Sequence, residues 1–140
     1  MEKRRRKRYE INLLINHPVM SPDTITGRLK PTPQYSWRRG EPRRTPIGTE
    51  LGGVRSETMW RHVIREEGRR SFFAGLRNSV DRLRAHRRFL SQIASGGGRV
   101  ELIVNLPGNV NMGDVLNPQT LRLIADLGAD LGVEVFPEND

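Results

Sequence analysis

The sequence predicts an α+β domain in which a roughly four-stranded mixed sheet carries three helices packed mainly on one face, in the order β-α-β-α-β-α-β. Some segments alternate apolar and polar residues with the period of a strand, and others space their apolar residues by three and four, as a helix does. Ser-Pro and Asn-Pro pairs stand where two of the helices should begin. We expect one domain over residues 9–137, between a disordered basic arm (1–8) and an acidic tail (138–140).

The first strand and the first helix have clear signals. Over residues 9–16 the odd-numbered positions are apolar and the even-numbered ones mostly polar, so a strand covered on one side is expected. Ser21 can accept hydrogen bonds from the first free N–H groups of a helix, and Pro22 suits its first position. This helix should be short, because Pro31 cannot continue it.

A long segment rich in proline, glycine and arginine follows the first helix. From Leu29 to Trp60 it holds four prolines, four glycines and six Lys/Arg, with almost no helical or strand periodicity. A connection longer than ~20 residues without regular structure is usually functional or disordered. Its end passes into a predicted strand at 57–65, whose β-branched and aromatic residues place Trp60 and Ile64 toward the core.

The second half of the chain contains the most periodic element. A helix is predicted from its N-cap, Ser71, to Ala94, and the glycines at 96–98 should end it. Its apolar stripe consists of Phe72, Phe73, Leu76, Val80, Leu83, Leu90 and Ile93, with a gap at Arg87. The remaining predicted elements are a strand at 100–106, a helix from Asn117-Pro118 and a last strand at 133–136.

Several short motifs along these elements resemble a known family. They are Ser21-Pro22-Asp23 with Ile25 and Leu29, then Pro31-Thr32, Arg39-Gly40-Glu41, Thr58-x-Trp60, Leu116 and Leu127-Gly128. The combination resembles the bacterial domain of unknown function 4279, over about Tyr9 to Pro137. The resemblance implies a fold and supplies no activity, cofactor or catalytic residue. The arginine-rich 38–44 section and the basic arm depart from the family pattern.

Composition limits the classes of function. The chain has no cysteine, which excludes disulfides and thiolate metal sites, and no apolar run approaches the ~20 residues that cross a bilayer. A cytoplasmic protein without a membrane partner is expected. Residues 1–99 carry 23 Lys/Arg against 9 Asp/Glu, whereas residues 100–140 carry one Arg against 7 Asp/Glu, so the field should draw an anionic partner to one side. The alternative is that the arginines only solvate the surface.

No motif for catalysis or for a cofactor is present. The three histidines, His17, His62 and His86, fall on different predicted elements without metal-ligand spacing, so each is interpreted as a packing or surface residue. There is no P-loop, dinucleotide-binding or nucleophile-elbow pattern. We therefore expect a protein that is not an enzyme and that uses no cofactor and no metal. An enzyme that uses polar residues on the open face of the sheet is a further alternative.

Residues suited to binding are concentrated in the long loop, where aromatic side chains lie beside arginines. Such a set can stack on bases and contact phosphates. Three arginines on the predicted outer face of the long helix extend the basic surface. The candidate binding surface comprises Tyr35, Trp37, Arg38, Arg39, Arg43, Arg44, Arg77, Arg84 and Arg88.

These residues lead us to expect a non-enzymatic binding module for an anionic partner, first of all nucleic acid. Aromatic and arginine side chains also form hot spots between proteins, so the alternative is a protein-interaction or immunity-type protein that docks an acidic protein surface. Trp37 has a second interpretation, in which it packs on the core and fixes the loop. The sequence leaves open whether the protein is a monomer or a homodimer.

Overall fold

The computed structural model describes residues 8–67, 71–108 and 111–136. Its strands are β1 (Arg8–His17), β2 (Tyr35–Trp37), β3 (Pro42–Arg44), β4 (Glu50–Val54), β5 (Thr58–Glu67), β6 (Arg99–Pro107) and β7 (Ala129–Phe136). Its helices are α1 (Pro22–Leu29), α2 (Phe72–Leu83), α3 (Arg87–Ser95) and α4 (Pro118–Asp126), with a 3-10 turn (Arg84–His86) between α2 and α3. None of these helices is long and apolar enough to cross a membrane. The predicted basic arm, apart from Arg8, and the acidic tail lie outside the described residues.

The main sheet has five strands in the spatial order β2-β5-β1-β6-β7, and β3 and β4 form a separate hairpin. β1 lies at the centre because it pairs antiparallel with both β5 and β6. β7 runs parallel to β6, so the sheet is mixed, as predicted. The helices cover the face that carries the odd-numbered residues of β1, and Tyr9, Ile11, Leu13 and Ile15 are each at most 4% exposed. The α+β class is confirmed.

Trp60 connects the sheet to the first helix. It lies opposite Ile15 in the pairing of β5 with β1, and both side chains are fully buried. Its indole Nε1 donates a hydrogen bond to the Thr26 hydroxyl of α1 at 3.0 Å. Ile25 and Leu29 bury the remaining apolar positions of α1 on the same face. The inward orientation predicted for Trp60 is thus confirmed.

The prediction of four strands and of an irregular loop was wrong. Three short strands, β2, β3 and β4, lie inside the Leu29–Trp60 segment, and β2 joins the main sheet beside β5 as its fifth strand. The predicted order therefore lacked three elements. β2 has three residues and β3 has three, one of them a proline, and alternation over so few residues gives no periodic signal.

The single long helix predicted from Ser71 to Ala94 was wrong in its middle. α2 and α3 are separated by the 3-10 turn, which has no buried residue and lies beside the gap in the apolar stripe. Without buried side chains, little packing energy favours a continuous α-helix there. After the turn, α3 buries Phe89, which the predicted stripe did not include and which is 3% exposed. The predicted start of the helix at Ser71 is confirmed, because the Ser71 hydroxyl accepts a hydrogen bond from the Ala74 N–H at 3.0 Å.

The last strand begins at Ala129, four residues before the predicted start. Gly128, with φ of 68°, ends α4 and lets the chain turn directly into β7. Gly132 pairs with Ile103 inside the parallel ladder, where a Cβ would lie 3.4 Å from that isoleucine side chain. Close packing against β6 explains a glycine within the strand.

Asp114 attaches the loop before α4 to the start of α2. Its two carboxylate oxygens accept from the Phe73 N–H at 3.1 Å and the Val115 N–H at 2.8 Å. Partial burial by itself raises the pKa of Asp114, but hydrogen bonds from the Ser71 hydroxyl and these two N–H groups outweigh it and lower the pKa. The carboxylate also lies at the positive end of the α2 dipole.

Replacing Asp114 with asparagine is expected to lower the free energy of unfolding near neutral pH by about 0.3–1 kcal/mol, the range for a carboxylate at a helix N-terminus. Because the pKa is lowered on folding, this contribution is present above the ordinary pKa and is lost as the pH falls through the folded value. Urea unfolding of both proteins at neutral and at strongly acidic pH measures it. If the difference in the free energy of unfolding between the two proteins stays the same in acid, the contribution does not come from the Asp114 carboxylate.

Candidate functional site

The basic surface is built around the β3–β4 hairpin, which a tight turn closes. The Thr45 carbonyl accepts from the Gly48 N–H at 2.9 Å, and the Thr45 hydroxyl accepts from the Thr49 N–H at 3.0 Å. Pro46 suits the first corner of this turn, and Gly48 supplies its φ of 90°. The sequence Thr-Pro-Ile-Gly-Thr is therefore a hairpin signal, although it has no strand periodicity.

A second turn connects β2 to the hairpin. The Glu41 N–H donates to the Arg38 carbonyl at 3.1 Å, and Gly40, with φ of 88°, occupies the corner that requires a positive φ. The main chain of Arg55 closes the other side, because its N–H donates to Glu41 and its carbonyl accepts from Gly40, each at 2.8 Å. These bonds join the turn after β2 to Arg55, which follows β4, and so close the open end of the hairpin.

Trp37 and Arg55 form the centre of this surface. The guanidinium carbon of Arg55 lies 3.7 Å from the centroid of the Trp37 ring, within the range of a cation–π contact. Nη2 of the same arginine donates to the Arg44 carbonyl at 3.0 Å and so ties β2 to the hairpin. Trp37 is half-buried. One face of its ring is occupied by the Arg55 guanidinium, on the face of the sheet away from the helices. The second interpretation, in which Trp37 packs on the core, was wrong, because the core lies on the other face.

The arginines around this pair are exposed: Arg38, Arg39, Arg43 and Arg44. Arg44 lies 4.0 Å from the carboxylate of Glu50, and both side chains are more than half exposed. In the described part of the chain, the other three have no carboxylate partner. Tyr35, 50% exposed, lies on β2 with its side chain on the same sheet face as Trp37. We call Tyr35, Trp37, Arg38, Arg39, Arg43, Arg44 and Arg55 the hairpin surface.

Two clefts flank the Trp37–Arg55 pair. The larger, of about 540 Å³, also has Tyr35 and Arg44 in its wall. The smaller, of about 330 Å³, lies between the hairpin and the sheet and has Arg43 in its wall. Both volumes fall in the range of ~300–1,000 Å³ that small-molecule sites occupy. Each cleft is therefore large enough for a nucleotide base or a partner's side chain.

Three arginines of the predicted surface lie elsewhere, on the helix layer: Arg77, Arg84 and Arg88. That layer covers the opposite face of the sheet from the one that carries the aromatic side chains of β2. Arg77 is also engaged, because its Nε lies 3.1 Å from Asp81 and its Nη1 donates to the Thr120 hydroxyl of α4 at 3.3 Å. The nine predicted residues thus divide into a set at the hairpin and a set on the helices.

Comparison with protein families finds a match to the family described as Domain of unknown function (DUF4279), over residues 7–136. The chain belongs to that family. The resemblance of its short motifs is therefore confirmed. Comparisons with curated proteins and with solved structures find no match. The description of the DUF4279 family names no activity.

The face of the sheet away from the helices carries a group of asparagines on its central strands. Asn12 is fully buried, and its Oδ1 accepts from Nε of Arg61 at 2.7 Å. Within the described residues, three buried amide atoms have no partner: Asn12 Nδ2, Asn16 Oδ1 and Asn105 Oδ1. A polar but uncovered face was expected, yet Asn12 is buried there. Amides can orient a ligand but do not exchange protons near neutral pH, so this group does not supply acid–base chemistry.

The histidines occupy two kinds of position. His17 is 6% exposed, and its Nδ1 accepts from the N–H groups of Val19 at 3.1 Å and Met20 at 2.9 Å, which fits the predicted packing role. The fold brings His62 and His86 to the rim of one cavity, although they are far apart in sequence. No group of three or more potential ligands suited to a metal occurs in the described part of the DUF4279 domain.

Proposed function

We propose that this DUF4279 domain is a cytoplasmic, non-enzymatic binding module whose hairpin surface takes an anionic partner, with single-stranded nucleic acid as the first candidate. The observation that carries the proposal is the stacked Trp37–Arg55 pair, which is surrounded by four exposed arginines. An arginine that is already positioned loses less conformational freedom when it binds a phosphate or a carboxylate.

Charge supports an anionic partner. Five guanidinium groups lie on the hairpin and its two turns, against the carboxylates of Glu41 and Glu50. The single ion pair among them in the described residues, Arg44–Glu50, is long and exposed, so it competes weakly with a partner. Guanidinium groups bind phosphate oxygens in a bidentate way, which gives orientation as well as attraction.

The aromatic residues support nucleic acid in particular. The half-exposed ring of Tyr35 shares a cleft with Arg44 and Arg55, so a base stacked on it would have its phosphates near guanidinium groups. Stacking on an aromatic ring tolerates any base, and proteins that hold single strands combine it with a basic groove. The proposal therefore expects little dependence on base sequence and a strong dependence on salt.

The test replaces Arg43 and Arg44 together with glutamine and measures binding of labelled, mixed-sequence single-stranded RNA and DNA by fluorescence anisotropy. At ~50 mM salt the affinity should fall roughly tenfold or more, and the slope of log affinity against log salt should become shallower by about 1.4, or ~0.7 for each lost phosphate contact.

The control is the double replacement of Arg84 and Arg88 with glutamine, which changes the net charge equally but on the helix layer. It should leave the salt slope nearly unchanged. Failure of the unmodified protein to bind either oligonucleotide pool, or equal losses in both double variants, would overturn the proposal.

A second candidate is docking to an acidic protein surface, and one observation favours it. The hairpin exposes apolar side chains that nucleic acid would not use: Ile47 at the tip is 90% exposed, Leu51 is 49% exposed and Val54 is 60% exposed. Exposed apolar residues beside arginines are typical of protein interfaces. A discrete partner that survives nuclease treatment, and that Ile47→Ser releases while oligonucleotide binding persists, would favour this candidate.

A further inference from the structure

A cavity of about 240 Å³ opens on the helix layer, on the opposite face of the sheet from the side chains of Tyr35 and Trp37. It lies between the end of α1, the second half of α2 and the strands β1, β5 and β6. Four apolar residues form its inner wall, each at most 5% exposed: Ile11, Leu13, Leu29 and Leu102. Half-buried apolar residues continue the wall toward solvent: Pro31, Ile64 and Leu83. The helix layer thus leaves a recess above these buried side chains.

The wall of this cavity is better suited to an apolar group than to water. A water molecule needs two to four polar partners, and apolar cavities of similar size stay dry. The buried polar residue in the wall is Ser79, whose hydroxyl already donates to the Gly75 carbonyl at 3.4 Å. An apolar ligand would restore the dispersion contacts that the wall lacks.

The rim of the cavity is polar and basic. It carries Arg82, His62 and His86, and no aspartate or glutamate is among the described residues that line the cavity. Arg82 is exposed and, within the described residues, has no carboxylate partner. Nδ1 of His62 lies 3.0 Å from the Thr32 carbonyl, which can only accept, so Nδ1 donates and Nε2 of the neutral ring is an acceptor.

We propose that this cavity binds a small organic anion, a carboxylate or similar acid on a compact apolar body. The apolar body fills the space over Leu13 and Leu102, and the anionic group meets the guanidinium of Arg82 beside the two histidines. A cavity of about 150 Å³ holds benzene, so this larger one suits a ligand of about ten non-hydrogen atoms. An apolar pocket with a few convergent polar groups is the usual form of a small-molecule site.

Phenylacetate and its neutral analogue 2-phenylacetamide are matched probes for this site, because they have the same shape and differ in charge. Amide chemical-shift mapping of the full chain should place both compounds at residues of β1, β6 and α2 that surround the cavity. Phenylacetate should bind roughly tenfold more tightly, because a charge-assisted hydrogen bond to arginine adds to the same apolar contacts.

Arg82→Gln should remove that tenfold preference and leave the affinity for 2-phenylacetamide unchanged. Arg84→Gln, an equal change of charge on a residue outside the cavity, should change neither affinity by more than about twofold. Leu83→Phe should abolish binding of both compounds, because the larger side chain fills the cavity. If the Leu83→Phe protein does not fold, the comparison of Arg82→Gln with Arg84→Gln still tests the proposal. Shifts that avoid the cavity, or equal losses in the two arginine variants, would overturn the proposal.

Discussion

Replacing Trp60 with alanine is expected to lower the free energy of unfolding by about 3–5 kcal/mol, the range for removal of a buried tryptophan. The Trp60 side chain is fully buried, lies opposite Ile15 in the centre of the sheet and donates its indole N–H to Thr26. The variant therefore loses apolar contacts of β5 and the bond that ties α1 to the sheet. Urea unfolding followed by far-ultraviolet circular dichroism measures the change.

Thr26→Val is the matched control, because it removes the acceptor and leaves the indole in place. It should cost about 1–3 kcal/mol, since a buried N–H then has no partner. The two effects should not add in the double variant, because the alanine has already removed the donor. A cost for Trp60→Ala no greater than that for Thr26→Val would mean that the ring contributes little packing.

Replacing Gly98 with alanine is expected to lower the free energy of unfolding by about 1–3 kcal/mol, the usual cost of adding a methyl group to a packed site. A Cβ at this position would lie 2.6 Å from the Asn16 carbonyl oxygen, 2.7 Å from Cγ2 of Ile93 and 2.9 Å from Cδ2 of His17. The carbonyl belongs to the central strand and cannot move without disturbing the pairing of β1. Thermal and urea unfolding measure the cost.

Gly27→Ala serves as the control, because it should raise the free energy of unfolding where Gly98→Ala lowers it. Gly27 lies inside α1, and a Cβ there would meet no heavy atom within 4 Å. Alanine should therefore raise the free energy of unfolding by about 0.4–1 kcal/mol, because it restricts the unfolded chain and favours helix. A neutral or stabilising Gly98→Ala would show that α3 and β1 can separate slightly at no cost.

The candidate surface could be predicted in part, because its chemistry is local. Tyr35, Trp37 and the four arginines from 38 to 44 are close in sequence, so their aromatic and basic character was visible before folding. Arg55 was missed, because its contact with Trp37 depends on the return of β4 toward β2. The turn residues Pro46 and Gly48 could have indicated that return.

The cavity could not be predicted in the same way. His62 lies on β5, whereas Arg82 and His86 lie on or just after α2, and their proximity arises from where the helix layer stops short of the sheet. The sequence spacing of these residues does not indicate the gap between the helix layer and the sheet. The lining residues also look like ordinary core positions, since an apolar wall and an apolar core have the same periodicity.

The sequence by itself determined the class of the fold, the inward faces of β1 and β5, and the starts of the helices at Ser21, Ser71 and Asn117. These features depend on periodicity and on capping within a few residues. The tertiary structure alone decided the fifth strand, the parallel pairing of β7, the division of the arginines and the reason for Gly98. Each of those depends on contacts between segments distant in sequence, where strand pairing and packing outweigh local preference.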